Sequence, residues 1–506
     1  MGGTAVTKVF CALFIVACSV LATTTCADAE DLHQTFARLE TRWKAAMDQL
    51  HVPGLSIAVV YNDKVVYTNG LGVRRVDPAL PFTADTTCYI ASSTKPFVAL
   101  AVMTLVDAGK ISLDAPVKTY LPRLAFPDHA LADTVTVRDL LCHRFGIGNS
   151  VVTLAEAYTG QWDDDFVYRE LAESTGAKGK WEYDNLHFTI AGRIIEAVTG
   201  QPWQEYVRDA ILRPLGMTHT TARATEMYAY DDVALGLLVE DDKWIVSPML
   251  KIDKTMHAAG GMGGSARDFA QWLRLQMSDG SVDGKRILSE SSLNEMFKPL
   301  VEPKTRFFRF GREKMGLAWY RGSYNGELLV HHFGGYIGYH AHISFMPEHK
   351  LGVVVLANSD REGSMLIHQI AADVYDTLLH LPGEDYMPTF IERTQKVEAR
   401  EIADRAKRPP LSDGPLTLSK PLDAYVGTFT SDRFGTLILK QSGDTLVGSL
   451  GNLALTFHAD KPEQLIMIYA IGQETVTFDY ASNGAVTQVN IASYGPYTMR
   501  FTRVAP

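Results

Sequence analysis

Apolar residues recur at helical spacing through residues 31–50 (Leu32, Phe36, Leu39, Trp43, Met47), which predicts an amphipathic helix. The period then changes. Leu55–Tyr61 and Lys64–Thr68 are β-rich runs joined at Asn62-Asp63, a pair suited to a tight hairpin. A helix is predicted from about Thr94 to Asp107, with Gly109 as its C-terminal cap. Residues 110–310 read mostly as helices and loops, punctuated by Pro and Gly. The β signal returns at Glu327–His331, His340–Met346 and Leu351–Asn358, and a helix over about Ser364–Leu379 follows. Strands from both ends bracket a helical middle. The economical solution is an α+β fold: an antiparallel sheet flanked by helices, with a helical subdomain inserted.

Beyond residue 385 the pattern shifts twice. Residues 386–420 are charged and then rich in turn residues (Pro409-Pro410, Ser412-Asp413-Gly414-Pro415), which reads as a linker with a short helix. From 421 to 506 nearly everything alternates in short runs separated by turns such as Ser442-Gly443-Asp444 and Ser482-Asn483-Gly484. This predicts a small up-and-down antiparallel β-barrel domain after a body spanning 30–385.

The N-terminus has a different character. Lys8 is the only early charge, and the run from Val9 to Ala22 is apolar but short for a bilayer. Ala27-Asp28-Ala29 supplies small residues for a cleavage site, so residues 1–29 read as a secretory signal peptide. The rival is lipoprotein anchoring at Cys18, within Ile15-Val16-Ala17-Cys18; the apolar run continues past Cys18, which favours the soluble form. The expected location is secreted or periplasmic, with no transmembrane helix in the mature chain. Cleavage leaves Cys88 and Cys142, both in apolar contexts that suit buried free thiols.

Composition narrows the functions. The 506 residues carry 48 Lys+Arg against 58 Asp+Glu, a net charge of −10, which argues against a nucleic-acid partner. No His-Glu-x-x-His or comparable ligand spacing occurs, so no metal or other cofactor is expected.

Three motifs carry chemistry. In Ser92-Ser93-Thr94-Lys95, Ser92 and Lys95 fall one helical turn apart at a predicted helix start. A Ser hydroxyl needs a neighbouring base, and a desolvated Lys of lowered pKa can serve. In Tyr183-Asp184-Asn185 the Tyr can exchange protons with a reacting Ser, and the Asn amide can hold a substrate carbonyl. In His332-Phe333-Gly334-Gly335, at the end of an apolar strand, the glycines leave room for a substrate backbone. There the Gly335 N–H can join that of Ser92 as an oxyanion hole, and His332 can donate a hydrogen bond or polarise the Ser–Tyr system. Each motif alone reads equally as a cap or a turn. His143 and His187 read as packing or capping residues.

The order Ser-x-x-Lys, Tyr-x-Asn, His-x-Gly resembles the class C β-lactamase and serine D-alanyl-D-alanine carboxypeptidase family, the penicillin-recognising serine hydrolases. Connecting phrases resemble it too: LVDAGKISLDAPVKTYL (105–121), VTVRDLLCHRFGI (135–147), PLGMTHT (214–220), GGMGGSARD (260–268) and GLAWY (316–320). The resemblance covers about residues 31–380 and implies a β-lactamase/transpeptidase-like fold. The C-terminal segment resembles a lipocalin-like barrel that some members append. The resemblance implies that Ser92 is the acylated nucleophile, that Lys95 takes or relays its proton and that Tyr183 is general acid/base. It further implies that Asn185 orients the substrate, that His332 replaces the lysine of β-lactamases, and that Gly334 and Gly335 admit the substrate strand. His332 points away from a dedicated β-lactamase. Phe333 stands where many relatives carry a hydroxyl that holds a substrate carboxylate, which leaves recognition of a free C-terminal residue open against an apolar group near Phe333. The expectation is an exported serine hydrolase acting on a small-molecule or peptide substrate. Peptidase or carboxypeptidase activity leads, carboxylesterase and β-lactamase are alternatives, and a non-catalytic binding protein retaining the fold is the rival of another class.

Overall fold

In the computed structural model, the described residues are 31–504 apart from 241–242, 361, 408–410, 412–413, 471 and 495–496. The segment read as a signal peptide, with Cys18, lies outside them. Helix α1 spans 31–49 and buries the stripe Phe36, Leu39, Trp43 and Met47 that its spacing predicts. Strands β1 (Gly54–Tyr61) and β2 (Lys64–Val76) form the expected hairpin. Asn62 and Asp63 both take positive φ, 50° and 61°, the geometry of a tight two-residue turn.

The main sheet has eight strands in the order β4-β5-β6-β7-β8-β1-β2-β3. Here β3 is Ala79–Pro81, β4 Lys314–Met315, β5 Tyr320–Tyr324, β6 Glu327–Tyr336, β7 Tyr339–Met346 and β8 Leu351–Ala357. The two ends of the body meet in its middle, where β1 pairs antiparallel with β8 from Leu55↔Ala357 to Tyr61↔Leu351. Alternation along β1 splits the core. Leu55, Ile57 and Val59 face α1, α5 (Leu366–Leu378) and α6 (Met387–Ala406). Ala58 and Val60 face α2 (Lys95–Asp107), α3 (Leu186–Thr199) and α4 (Ala266–Gln276). Helix α2 is sequestered almost completely: every residue from Lys95 to Met103 is buried. Its Phe97 stacks on Trp272 of α4 with ring centroids 3.7 Å apart.

Two elements depart from expectation. Strand β6 does not end at His331 but runs through the third motif to Tyr336. Gly334 explains this, because a Cβ there would stand 1.9 Å from the Ile90 carbonyl oxygen, so only glycine lets the strand lie against the turn before α2. The region read as a linker holds a 20-residue helix, α6. Met387 and Phe390 bury its first turn beside α1, while the rest is mostly charged, so its amphipathic signal is confined to one end. Cys88 and Cys142 are buried free thiols, and no helix among the described residues is long and apolar enough to cross a membrane.

The C-terminal segment closes into an eight-stranded antiparallel barrel, β9 to β16. The strands are Gly427–Ser431, Gly435–Ser442, Thr445–Leu450, Leu453–Lys461, Gln464–Tyr469, Gly472–Tyr480, Val486–Tyr494 and Tyr497–Arg503. Alternate residues such as Phe429, Leu437, Leu446, Leu465, Val476 and Phe501 fill it.

The α2–α4 stack supplies a test. Trp272→Ala is expected to cost about 3–5 kcal/mol, since it empties a fully buried aromatic site. Urea denaturation followed by circular dichroism measures it; a loss below about 1 kcal/mol would contradict this packing.

Candidate active site

The strand-to-helix turn ahead of α2 creates the site. Ala91–Thr94 forms a single 3₁₀ turn, and Ala91 is held at φ +45° immediately before Ser92. A non-glycine residue there is a strained position, held by the surrounding packing. Ala91, Ser93, Thr94 and Lys95 are buried, so Ser92 alone of the motif presents its hydroxyl outward. The turn is tied to β6, because Ser93 Oγ donates to the His332 carbonyl at 3.4 Å.

Lys95 begins α2 and is fully buried. Its Nζ lies 3.2 Å from Ser92 Oγ, 2.8 Å from Asn185 Oδ1 and 2.7 Å from the Ala259 carbonyl oxygen. It also sits 4.8 Å from the Tyr183 ring centroid and 5.8 Å from that of Phe188. Loss of water lowers its pKa to about 7, against an opposing pull from Asp184. At neutral pH a substantial fraction is therefore the free amine beside Ser92.

Tyr183, Asp184 and Asn185 lead into α3. The capping reading holds for Asp184 only, whose Oδ1 accepts the Leu186 N–H at 2.8 Å. Asn185 makes no side-chain cap; its oxygen serves Lys95 instead. The Tyr183 phenol is near enough to Ser92 for that hydroxyl to pull its pKa down, but burial outweighs this and pushes it up to about 12. Beneath it, the His143 ring lies 4.6 Å from the Tyr183 ring, and His143 Nδ1 meets His187 Nδ1 at 2.7 Å. These two histidines buttress the loop, in keeping with a packing role.

His332 corrects one expectation. It points into the same space, its ring 6.3 Å from that of Tyr183, but burial holds its pKa well below the usual imidazole range. Nδ1 faces the Phe333 carbonyl at 3.0 Å and so carries the proton, while buried Nε2 has no partner. His332 therefore offers a bare acceptor rather than a donor. Gly334 packs on the Ser92 turn, with Ser93 N 3.1 Å from where its Cβ would stand, and Gly335 follows at the exposed surface. Strand β5 pairs with β6 only as far as Tyr320↔His331, so among the described residues no strand pairs with β6 on that edge from His332 onward.

Phe333 corrects another. Strand alternation turns it to the opposite face from His332, where it is 8% exposed and stacks on His331 and His342 at 4.4 and 4.5 Å. It contributes no apolar wall beside Ser92. Two residues outside the three motifs lie next to Tyr183 instead, one directly and one through its neighbour. Tyr320 stacks on Tyr183 at 6.5 Å. Arg312 reaches over from the hairpin Thr305–Phe307/Phe310–Arg312, its guanidinium 4.2 Å from the Tyr320 ring centroid. Its buried Nε has no partner, and the groups that act on its charge are the phenols of Tyr320 and Tyr183, not carboxylates. Tyr320 lies in the family-like phrase GLAWY; no pattern around Arg312 distinguishes it from other arginines.

A family model described as Beta-lactamase matches residues 39–374. The chain belongs to the beta-lactamase family. Protein flp of Staphylococcus aureus is 28% identical over 317 residues, covering 62% of this chain and 61% of that protein. The chain thus spans less than two-thirds of the length of such curated relatives. Among solved structures, the octameric penicillin-binding protein homologue from Pyrococcus abyssi aligns with a TM-score of 0.59 at 24% identity. That alignment covers 92% of this beta-lactamase-family chain and 99% of the other, so it takes in the barrel. The D-amino acid amidase of Ochrobactrum anthropi SV3, complexed with L-phenylalanine amide, aligns with a TM-score of 0.56 at 23% identity over 67% of this chain and 97% of its own. At these identities the two structures speak for the fold.

Burial fixes the sign of a pH test. Lys95 is an ammonium below about pH 7 and an amine above it. Labelling of Ser92 by a fluorophosphonate is expected to rise with pH through about 7. Asp184→Asn removes the group that favours the ammonium, so the rising limb should move to lower pH. A limb that stays put or moves upward would contradict the Lys95–Asp184 coupling.

Proposed function

We propose that this beta-lactamase-family protein is a serine hydrolase that cleaves amide, peptide or ester bonds through an acyl-enzyme on Ser92. The observation that carries the reading is the buried Lys95 amine within hydrogen-bond reach of Ser92 Oγ. In the forward step Lys95 takes the Ser92 proton as Oγ attacks the substrate carbonyl carbon. Backbone N–H groups of Ser92 and Gly335 receive the developing oxyanion, and Asn185 holds the substrate amide. Tyr183, beside Lys95 and Ser92, passes the proton to the leaving group as the scissile bond breaks. Water then attacks the acyl-Ser92 ester with Lys95 and Tyr183 acting in reverse. His332 Nε2, neutral and unpartnered, accepts an N–H or O–H from the substrate or the Tyr183 phenol.

Arg312 bears on the substrate. Its guanidinium lies over Tyr320, which stacks on Tyr183, and no carboxylate among the described residues pairs with it. This supports a carboxypeptidase-like substrate whose leaving group bears a carboxylate, and it offsets the hydroxyl that Phe333 replaces. A neutral ester or a β-lactam on the same scaffold is the second reading, favoured by the unpaired edge of β6, which takes any extended acyl chain. Export of the chain from about residue 30, to a secreted or periplasmic location, belongs to the same reading and rests on residues 1–29.

Two experiments test this. Intact mass after incubation with a fluorophosphonate or a penicillin should show one adduct on the wild type and none on Ser92→Ala; an adduct on the variant would sink the nucleophile assignment. For matched dipeptides ending in a free carboxylate or its amide, Arg312→Gln should lower kcat/KM on the acid by roughly 10–100-fold and spare the amide. Equal losses on both would remove the carboxylate role.

A further inference from the structure

The barrel does more than sit beside the hydrolase body; its loops grip it at residues 159–161, 169–170 and 250. Gln161 is the grip's centre. Its Nε2 donates to the Thr436 carbonyl at 3.0 Å, and its Oε1 accepts the Thr436 N–H at 2.8 Å, so the side-chain amide mimics a strand rung. Two barrel glycines make the socket. A Cβ on Gly435 would stand 2.8 Å from Gln161 Cδ, and one on Gly451 would stand 2.8 Å from Gln161 Cγ and 2.2 Å from the Thr159 carbonyl oxygen. Asn452 completes it, its N–H donating to the Thr159 carbonyl at 2.9 Å and its Nδ2 to the Leu250 carbonyl at 2.8 Å. Farther out, Arg433 pairs with Glu170, a carboxylate only 1% exposed, at 2.6 Å.

The gripped residues adjoin the cleft. Ala155–Thr159 is a π-helical turn, a form frequent at functional sites. Within it Tyr158 stacks on Tyr336 with centroids 5.8 Å apart. Tyr336 follows Gly335 and lies on the same face of β6 as Gly334, the residue pressed against the Ser92 turn. Lys251, next to the gripped Leu250, is buried with Nζ 4.2 Å from the Tyr336 ring centroid and donates to the Ala157 carbonyl at 2.8 Å. Tyr336 in turn meets Tyr89 at 5.3 Å, and Tyr89 hydrogen-bonds the Gly260 carbonyl, one residue beyond the Ala259 carbonyl that holds Lys95.

We propose that the barrel sets the shape of the acyl-side wall of the Ser92 cleft, and that Gln161 and Asn452 are positioning residues acting through Tyr158 and Tyr336. The proposal rests on the serine-hydrolase reading for where substrate lies, but the mechanical coupling stands apart from it. Among the described residues, no barrel side chain is bonded to Ser92, Lys95 or Tyr183; the barrel holds Thr159, Gln161 and Leu250, and these adjoin the two tyrosines and Lys251. A wall fixed this way discriminates by acyl size: a small acyl group never reaches Tyr336, whereas a bulky aromatic one packs on it.

The test uses the full chain with Gln161→Ala, Gly451→Ala and, as a docking control, Arg433→Met. Hydrogen exchange read by mass spectrometry should show faster exchange in peptides covering 155–161 and 335–338 for the first two variants only. Unchanged exchange around Tyr336 overturns the coupling whether or not any substrate is turned over. With p-nitrophenyl acetate and p-nitrophenyl hydrocinnamate, the first two variants should raise KM for the bulky ester about fivefold or more, leaving its kcat and both constants for acetate nearly unchanged. Equal changes on both esters, or the same size-selective shift in Arg433→Met, overturn the specificity role. Loss of all turnover and of Ser92 labelling in the wild type would instead strike the serine-hydrolase reading.

Discussion

The site depends on one costly fact: a lysine is buried at the head of the central helix. An ammonium taken out of water loses several kcal/mol of solvation unless partners replace it. Here Lys95 has three oxygen partners and two aromatic faces, yet no carboxylate in contact. The one nearby acid, Asp184, is itself raised to about 6 by burial, so it compensates only in part. The balance leaves the amine and the ammonium close in free energy near neutral pH, which proton exchange with a serine requires. Much of the fold maintains that balance. Helix α2 is buried from Lys95 through Met103, between the sheet and α3 and α4, which keeps the lysine stem out of water. A tighter ion pair would charge the lysine permanently; a looser shell would hydrate it.

How far this was legible in sequence follows from how local each interaction is. Ser92 and Lys95 meet because they are one turn apart, so their pairing is readable from spacing. The hairpin at Asn62-Asp63, the bracketing strands and the eight alternating runs of the barrel are likewise properties of short windows. Tyr183 and Asn185 came through motif order, since nothing near them in the chain says that α3 docks against α2. The direction of His332's hydrogen bond was out of reach, because its tautomer is set by a carbonyl and its protonation by burial under a whole sheet. Helix α6 reads from sequence as a linker with only a short helix for a related reason: its buried residues, Met387, Phe390 and Thr394, lie in its first two turns, and a charged helix lying on a surface has the composition of a tether.

Strand β6 links the two halves of the protein. Its early part is an ordinary sheet strand paired on both sides. After His331 it loses its β5 neighbour, and its two glycines bring bare backbone to the Ser92 turn. Such an edge is a liability unless something manages it. Here Tyr336, Tyr158 and Lys251 brace its far end, and the barrel loops brace them in turn. The edge is thereby kept straight without being covered, which would suit the substrate-accepting role proposed for it. A C-terminal domain that carries no catalytic constellation can thus brace a strand that, past His331, is paired on one side only.

Charge completes the argument. The chain carries a net −10, so its overall field opposes an anionic substrate. At physiological ionic strength that field fades over a Debye length of about 8 Å, and inside the cleft the nearest charges decide. Lys95 contributes little there, being partly neutral by design. Arg312 is different: a guanidinium stays protonated even when burial lowers its pKa, and this one is stacked on Tyr320 with no acid to neutralise it. Most of the protein's other half-buried arginines, including Arg42, Arg138, Arg193, Arg274 and Arg433, are spent on carboxylates. Leaving one cation unspent near Tyr183 is destabilising in the empty protein, and a carboxylate on the leaving group would relieve that cost on binding. Selectivity for such a group would then come from a single local charge working against the sign of the whole molecule.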